Sequence, residues 1–450
     1  MTATVVHTYG YLRESSVMAR PGRVDVALAT SGGGVADPVL FRGRVEPPAL
    51  VARLLLCIAR VSRNRFYTPA AMIAHQLRLA DPVITSHGDR LRFESFSSCC
   101  GVYARLDLLP DSLTVEAAGR GTTNVDVNSR MRAALSEVDD THAMRLDIGS
   151  AALTLEAGGK PAVERKVELP SRWVKGFSEV QVIQSSLVLC AELSAAKFLR
   201  FRHGLPAASR SAGPLWAVPA GDGMRLGSRP QGGAVSLGGP HRLRALGDVA
   251  TGARRVRVYG GDGASAWEFD HGAARLVLVL SPDASRGFSG EGAALRDRVS
   301  NDAAVVGHLL RTTLAWQPSL NDEALADTLG LKADAVRAGL RALGAAGELG
   351  FDLAEQAFFH RPLPYEGGPA AIVPPRLRDA RRLVEARAVF MLRYPDESGV
   401  TEAMVNSGGV EHRVWLSPTE VRCSCPWFAL HRGARGPCKH ELAVRLRVDG

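Results

Sequence analysis

From residue 24 to 45 apolar and polar positions alternate in two short runs, VDVALA and VLFRGRV, on either side of the glycine-rich SGGGVADP. This pattern predicts a pair of strands around a loop. Pro47 and Pro48 then open a helix in which Leu50, Leu54, Leu55, Ile58 and Val61 recur at helical spacing up to Arg65. Strand character returns at 91–96, 101–108 and 112–117, and 129–138 is a helix that Asn128 is placed to cap. Helical patterning near 178–201 closes a mixed α/β region assigned to residues 1–203.

Residues 204–263 are dense in Gly and Pro and carry only short strand-like pieces such as RVRVYG; ARLVLVLSP at 274–282 has the continuous apolar run of a buried strand. The segment 204–300 is therefore expected to be β-rich, and no fixed-period repeat runs through the chain.

Residues 301–365 change character and suggest a winged helix. A helix is expected at 303–315, followed by SLNDEALADTLGL, in which Ser319 and Asp322 suggest a capping box and Gly330 a helix end. A second helix at 333–345 places Val336, Leu340 and Leu343 on one face and Arg337 and Arg341 on another. Strands at 348–353 and 356–361 would form the wing, and Arg337 and Arg341 the groove-facing pair. A Pro-Gly stretch at 362–375 follows, with the linker proper at 366–375 and a C-terminal module at 376–450. The expected class is thus α+β and multidomain.

That last module holds the strongest chemistry. Cys423 and Cys425 are two apart at the end of a strand-like VRCSCPWF, so both thiols face one side. Pro426 is read as stopping that strand. Cys438 and His440 follow in PCKHELAVRL, where Pro437 suits the first turn of a helix packed through Leu442, Ala443 and Leu446. Three thiolates and one imidazole make a closed tetrahedral set with no position for a substrate water, which predicts one structural Zn2+. A redox pair fits less well, because the second Cys–His pair completes a metal site. His431 could substitute as a ligand, but with four better-spaced ligands present it is read as an exposed loop residue.

The CxC, twelve-residue and CxH spacing, with the Pro and aromatics of CSCPWF and the apolar helix after CKH, resembles the SWIM zinc-binding domain. The resemblance covers roughly 50–70 residues and implies a strand–strand–helix zinc module linked to DNA binding or protein–protein interaction. The whole architecture also resembles uncharacterised bacterial SWIM proteins, some of which accompany AAA-type ATPases and von Willebrand A-domain proteins.

Charge changes this picture slightly. The chain carries 55 Lys+Arg against 46 Asp+Glu, a net of +9, with pI near 9.4, but its basic residues are nearly all arginine in an Ala- and Gly-rich composition, as a GC-rich genome writes for any function. Locally, Arg432, Arg435 and Lys439 would be displayed together by the zinc knuckle and could meet phosphates; a solvated basic surface explains them equally. Trp427 and Phe428 could stack on bases, though a place beneath the zinc site is the simpler reading.

Of the seven cysteines, an odd total, three sit in the last thirty residues and Cys57, Cys99, Cys100 and Cys190 are scattered, which argues against a disulfide framework. No apolar run of about 18 residues and no leader-like N-terminus is present. The expectation is a cytoplasmic protein with no membrane partner. Cys99–Cys100 reads as two small buried side chains on a strand before a reactive pair, and AGRGTTN at 118–124 and YGGDGAS at 259–265 as turns, since neither has a phosphate-loop ending. No hydrolase, kinase or metalloprotease signature appears, and no small-molecule substrate is indicated. The expected function is therefore non-enzymatic: zinc-stabilised recognition of nucleic acid, DNA first, or alternatively a protein-interaction adaptor working with an ATPase-type partner.

Overall fold

The computed structural model describes residues 9–10, 16–20, 23–28, 39–66, 82–124, 129–141, 143–149, 165–166, 169–206, 215–244, 249–261, 263–284, 286–292, 294–363 and 373–448. Much of the expected linker lies outside them, as do Asn128 and the whole loop at 31–38. Two compact units form, one of Met1–Trp173, Ser186–Gly287 and Leu363–Tyr365, the other of Val174–Ser185, Phe288–Pro362 and Glu366–Gly450.

The first unit is built on an eight-stranded antiparallel sheet. Its strands Val83–Ser86, Leu91–Phe96, Val102–Leu108 and Gly121–Asn124 come from early in the chain, and Val188–Leu193, Arg255–Gly261, Ala264–Asp270 and Ala274–Leu280 from much later. They meet where Ala274–Leu280 pairs with Val102–Leu108, Leu276 opposite Leu106. One sheet therefore runs across the boundary expected at 203/204. Leu91, Phe93, Val102, Ala104, Leu106, Leu276 and Leu278 alternate onto one face and pack with Val51, Leu54 and Ile58 of the helix Pro48–Arg63. The alternate residues are buried too, but polar and mutually bonded: Tyr103 Oη donates to Glu94 Oε1 at 2.7 Å and Arg105 Nε to Asp107 Oδ2 at 3.2 Å. A five-stranded sheet adds Arg23–Leu28, paired in parallel with Ala143–Ile148, and a three-stranded sheet begins at Leu215–Ala220.

Two local expectations are corrected here. The helix expected at 178–201 is a helix to Gln184, a strand Val188–Leu193 and a helix Ala195–His203. Ser185 and Ser186 form the turn, and Ser194 caps the second helix, its hydroxyl accepting from Lys197 N at 3.4 Å. Cys99 and Cys100 lie in the turn between Leu91–Phe96 and Val102–Leu108 instead of on a strand, with Cys100 at φ 54.

Besides most of the helix ending at Gln184, the second unit holds a short helix α1 (Ala294–Asp297), then α2 (Asn301–Arg311), α3 (Asp322–Leu329), α4 (Ala333–Ala345) and a hairpin of β1 (Leu349–Asp352) and β2 (Ala357–His360). Asn321, not Ser319, caps α3, its Oδ1 accepting from Ala324 N at 2.8 Å, and Gly330 ends it at φ 66. Leu320 bridges Phe358, so the stretch before α3 lies along the hairpin. Then come α5 (Pro375–Glu385) and a four-stranded antiparallel sheet in sequence order: β3 (Val389–Arg393), β4 (Thr401–Ser407), β5 (Val410–Leu416) and β6 (Val421–Cys423). Gly408 and Gly409, both at positive φ, make the two-residue turn joining β4 to β5, a conformation that glycine adopts without steric cost. Two helices finish the module, α6 (Pro426–His431) and α7 (Lys439–Val448).

Candidate metal centre and the basic surface beside it

The sheet and the two last helices bring Cys423, Cys425, Cys438 and His440 together. All four are buried, and their ligand atoms lie within 4.8 Å of one another. Cys423 arrives at the end of β6, where Val414 of β5 pairs with it. Cys425 is the N-cap of α6 and accepts from Phe428 N–H at 3.4 Å; Cys438 precedes α7 and accepts from Glu441 N–H at 3.3 Å. Both sulfurs thus take a backbone donor, which favours thiolate over thiol. Pro426 does not simply stop a strand: it occupies the first turn of α6, a helix that the sequence reading missed because six residues carry no periodicity.

His440 turns Nδ1 toward Cys423 Sγ at 3.9 Å. A zinc–sulfur bond of about 2.3 Å gives tetrahedral edges of about 3.8 Å, so this spacing suits one ion shared by both. The thiols are strongly interdependent. Hydrogen bonding to Cys425 pushes the Cys423 thiol up to about 11, while the Cys423 and Cys438 thiols donate to Cys425 and hold it well below the usual thiol range. Three thiolates crowded into one buried pocket require a cation, and the donor set of three sulfurs and one imidazole fits one structural zinc.

Residues 412–448 match the SWIM zinc finger family. The match covers the four ligands, the strands around the first pair and both helices, so the SWIM module is a zinc-binding finger here. A search of curated proteins finds no match. Among solved structures, the chain is similar to proliferating cellular nuclear antigen from Entamoeba histolytica, at 10% identity and a TM-score of 0.34 over 55% of this chain and all of that one, too slight a likeness to carry an argument. Among the described residues no helix is long and apolar enough to cross a membrane.

The finger is supported from outside the matched segment. Its core adds Leu295, Val299, Leu377 and Ala380 to Val405, Val414, Leu442 and Val444. Arg376 of α5 clamps the knuckle between the ligand pairs, donating from Nη1 to the carbonyls of Arg435 (3.1 Å) and Pro437 (2.6 Å), from Nε to Glu291 Oε2 (2.6 Å) and from Nη2 to the Glu291 carbonyl. Its guanidinium also lies 4.5 Å from the Trp427 ring centroid, and His431 packs edge-on against the same ring, so Trp427 is part of the scaffold. Gly436 is dictated twice. Its φ is 80, and a Cβ there would lie 2.6 Å from the Glu291 carbonyl oxygen.

The five basic candidates fall in different settings. Arg432 caps α6 in the left-handed region and is exposed, Arg435 is exposed, and Lys439 is half-buried between two ligands. Arg337 donates to Asp322 Oδ2 at 2.9 Å and Asp334 Oδ1 at 3.0 Å. Arg341 donates to Asp297 Oδ1 at 3.0 Å and Ser185 Oγ at 2.8 Å. These last two tie α4 to its neighbours. Sequence reasoning missed Arg296, Arg422 and Arg445, which line a groove of about 820 Å³ together with Arg432. No local motif marks them; only the fold brings residues from α1, β6, α6 and α7 to one surface.

Proposed function

We propose that this protein is a non-catalytic recognition protein that binds nucleic acid through its zinc-stabilised SWIM module. One observation carries this reading: residues 412–448 hold seven Lys+Arg against two Asp+Glu, a net of +5 on a small finger, and of the two carboxylates Glu441 is fully buried. A closed metal site has no vacancy for a reacting water, so the metal's use is to hold that basic surface in shape. Phosphate contacts release counterions, and retention on mixed DNA and RNA should therefore fall steeply as salt rises. Absence of binding at low salt, or binding that salt does not weaken, would refute the reading.

The order α2, α3, α4, β1, β2, with Leu320 bridging the hairpin, supports a winged-helix reading of this segment. Because Arg337 faces two carboxylates, Asp322 and Asp334, and Arg341 is held by Asp297 and Ser185, whereas the finger carries an excess of cations, we assign the nucleic-acid contact to the finger instead of to α4. A protein-interaction adaptor is the second reading. It is favoured by the edge strand β3 and the residue after it, which leave Phe390 56%, Leu392 58% and Tyr394 58% exposed. Replacing Phe390 and Leu392 by serine should then abolish capture of a defined partner, such as an ATPase, while leaving nucleic-acid retention intact.

A further inference from the structure

The groove beside the metal centre combines charge, an apolar wall and exchangeable partners. Arg296, Arg422, Arg432 and Arg445 all line it, Phe428 and Pro418 contribute apolar surface, and Glu420 is the one acidic lining residue. Its volume, about 820 Å³, is within the range of about 300–1,000 Å³ found for ligand sites.

The four guanidiniums are neutralised incompletely. Arg296 Nε and Arg445 Nε both donate to a single oxygen, Glu441 Oε1, at 2.9 and 3.2 Å. One buried carboxylate thus faces two arginines, and the Nη groups of both have no partner among the described residues. Glu441 in turn ties those two side chains together in the groove wall. Arg422 is paired with Glu420 at 2.6 Å, but the side chains are 68% and 48% exposed, so solvent screens the pair and a stronger anion can displace it. Arg432 has no ion-pair partner among the described residues.

Building on the nucleic-acid reading above, we infer that this groove grips the phosphodiester backbone of a single-stranded nucleic acid, with Arg296, from outside the finger, completing the set of four cationic contacts. Guanidinium groups bind phosphate oxygens through paired N–H donors, and a concave groove admits a strand with its bases splayed. A duplex presents a convex double backbone that such a groove receives poorly. The Phe428 ring, half-buried in the wall, offers a base a face to stack on.

The test is fluorescence anisotropy on the full-length, zinc-loaded chain with a labelled oligothymidine of about 12 nucleotides, within the span of single-strand sites, and with the matching duplex. The Arg422→Ala/Arg432→Ala double variant should weaken oligothymidine binding about tenfold or more and flatten the salt dependence by about 0.7 per lost contact. Arg296→Gln should weaken it several-fold with zinc content unchanged, and Arg337→Ala should leave it unaltered. If the wild type binds nucleic acid and the groove variants bind equally well, the groove is refuted and the general reading stands. Duplex bound as tightly as single strand overturns the single-strand assignment. Displacement of the oligonucleotide by polyglutamate at equal charge would assign the groove to acidic polypeptides. No binding of either nucleic acid at low salt would overturn both the groove and the nucleic-acid function.

Discussion

The eight-stranded sheet and the SWIM module solve the same problem with different means. In the sheet, Val102–Leu108, Ala264–Asp270 and Ala274–Leu280 are buried along their whole length, and leucines, Phe93, Trp267 and Phe269 fill a continuous core. Its cohesion comes from apolar area removed from water. In the finger the buried set is small and rich in Val and Ala, and three of its members are the thiols of Cys423, Cys425 and Cys438. So little apolar surface does not hold a four-stranded sheet and two short helices by itself, and metal bonds supply the difference. One region is held by area and the other by an ion.

The sharpest way to break that contrast is to remove a ligand. Cys438→Ser should lower zinc from about one ion per chain toward none and unfold the finger, since zinc binding in such modules is worth about 10–16 kcal/mol and is their folding energy. Circular dichroism with elemental analysis reads both; a full zinc complement would refute the ligand set. Acid should do the same by degrees. Hydrogen bonding to Cys425 holds the metal-free Cys423 thiol above its ordinary range, so at neutral pH zinc must displace a proton, and affinity falls as pH falls. A zinc-indicator titration from neutral pH downward measures this. Next in size is Leu106→Ala in the sheet, expected to cost about 2–5 kcal/mol. Its cost should be the same with and without chelator; a chelator-dependent cost would mean that the two regions do not stand on separate supports. Gly436→Ala is smaller, about 1–3 kcal/mol, because the left-handed backbone disfavours any Cβ and the Glu291 carbonyl occupies its place. Of similar size is Arg376→Ala, about 1–3 kcal/mol from lost charged hydrogen bonds less what water restores. It should speed zinc loss to a chelator with all four ligands intact, and an unchanged rate would remove Arg376 from the supporting role.

The two regions were also legible to different depths. The ligands could be named from sequence because alternation in a strand and the start of a helix place two donors each on one side, a local property. The glycine pair between β4 and β5 and the cap at Gly330 are legible for the same reason. The eight-stranded sheet was not, since its two halves are separated by scores of residues and nothing in ARLVLVL specifies a partner near 100. Val188–Leu193 was hidden in a segment whose apolar spacing suits both periods, and α6 was too short to show one. Arg376 reaches carbonyls 59 and 61 positions away, and Arg296 meets Glu441 across 145. Contacts at such separations are set by topology, which pattern within a window does not contain.

His440 and Glu441 are consecutive on α7, one facing the metal centre and the other holding Arg296 and Arg445. The peptide unit joining them places metal loading and the proposed anion capture on neighbouring residues of one helix. By thermodynamic reciprocity, whatever factor zinc adds to the affinity of an anion for those arginines, that anion adds to the affinity for zinc. Cellular zinc status and occupancy of the groove would then report on each other through a single turn of helix.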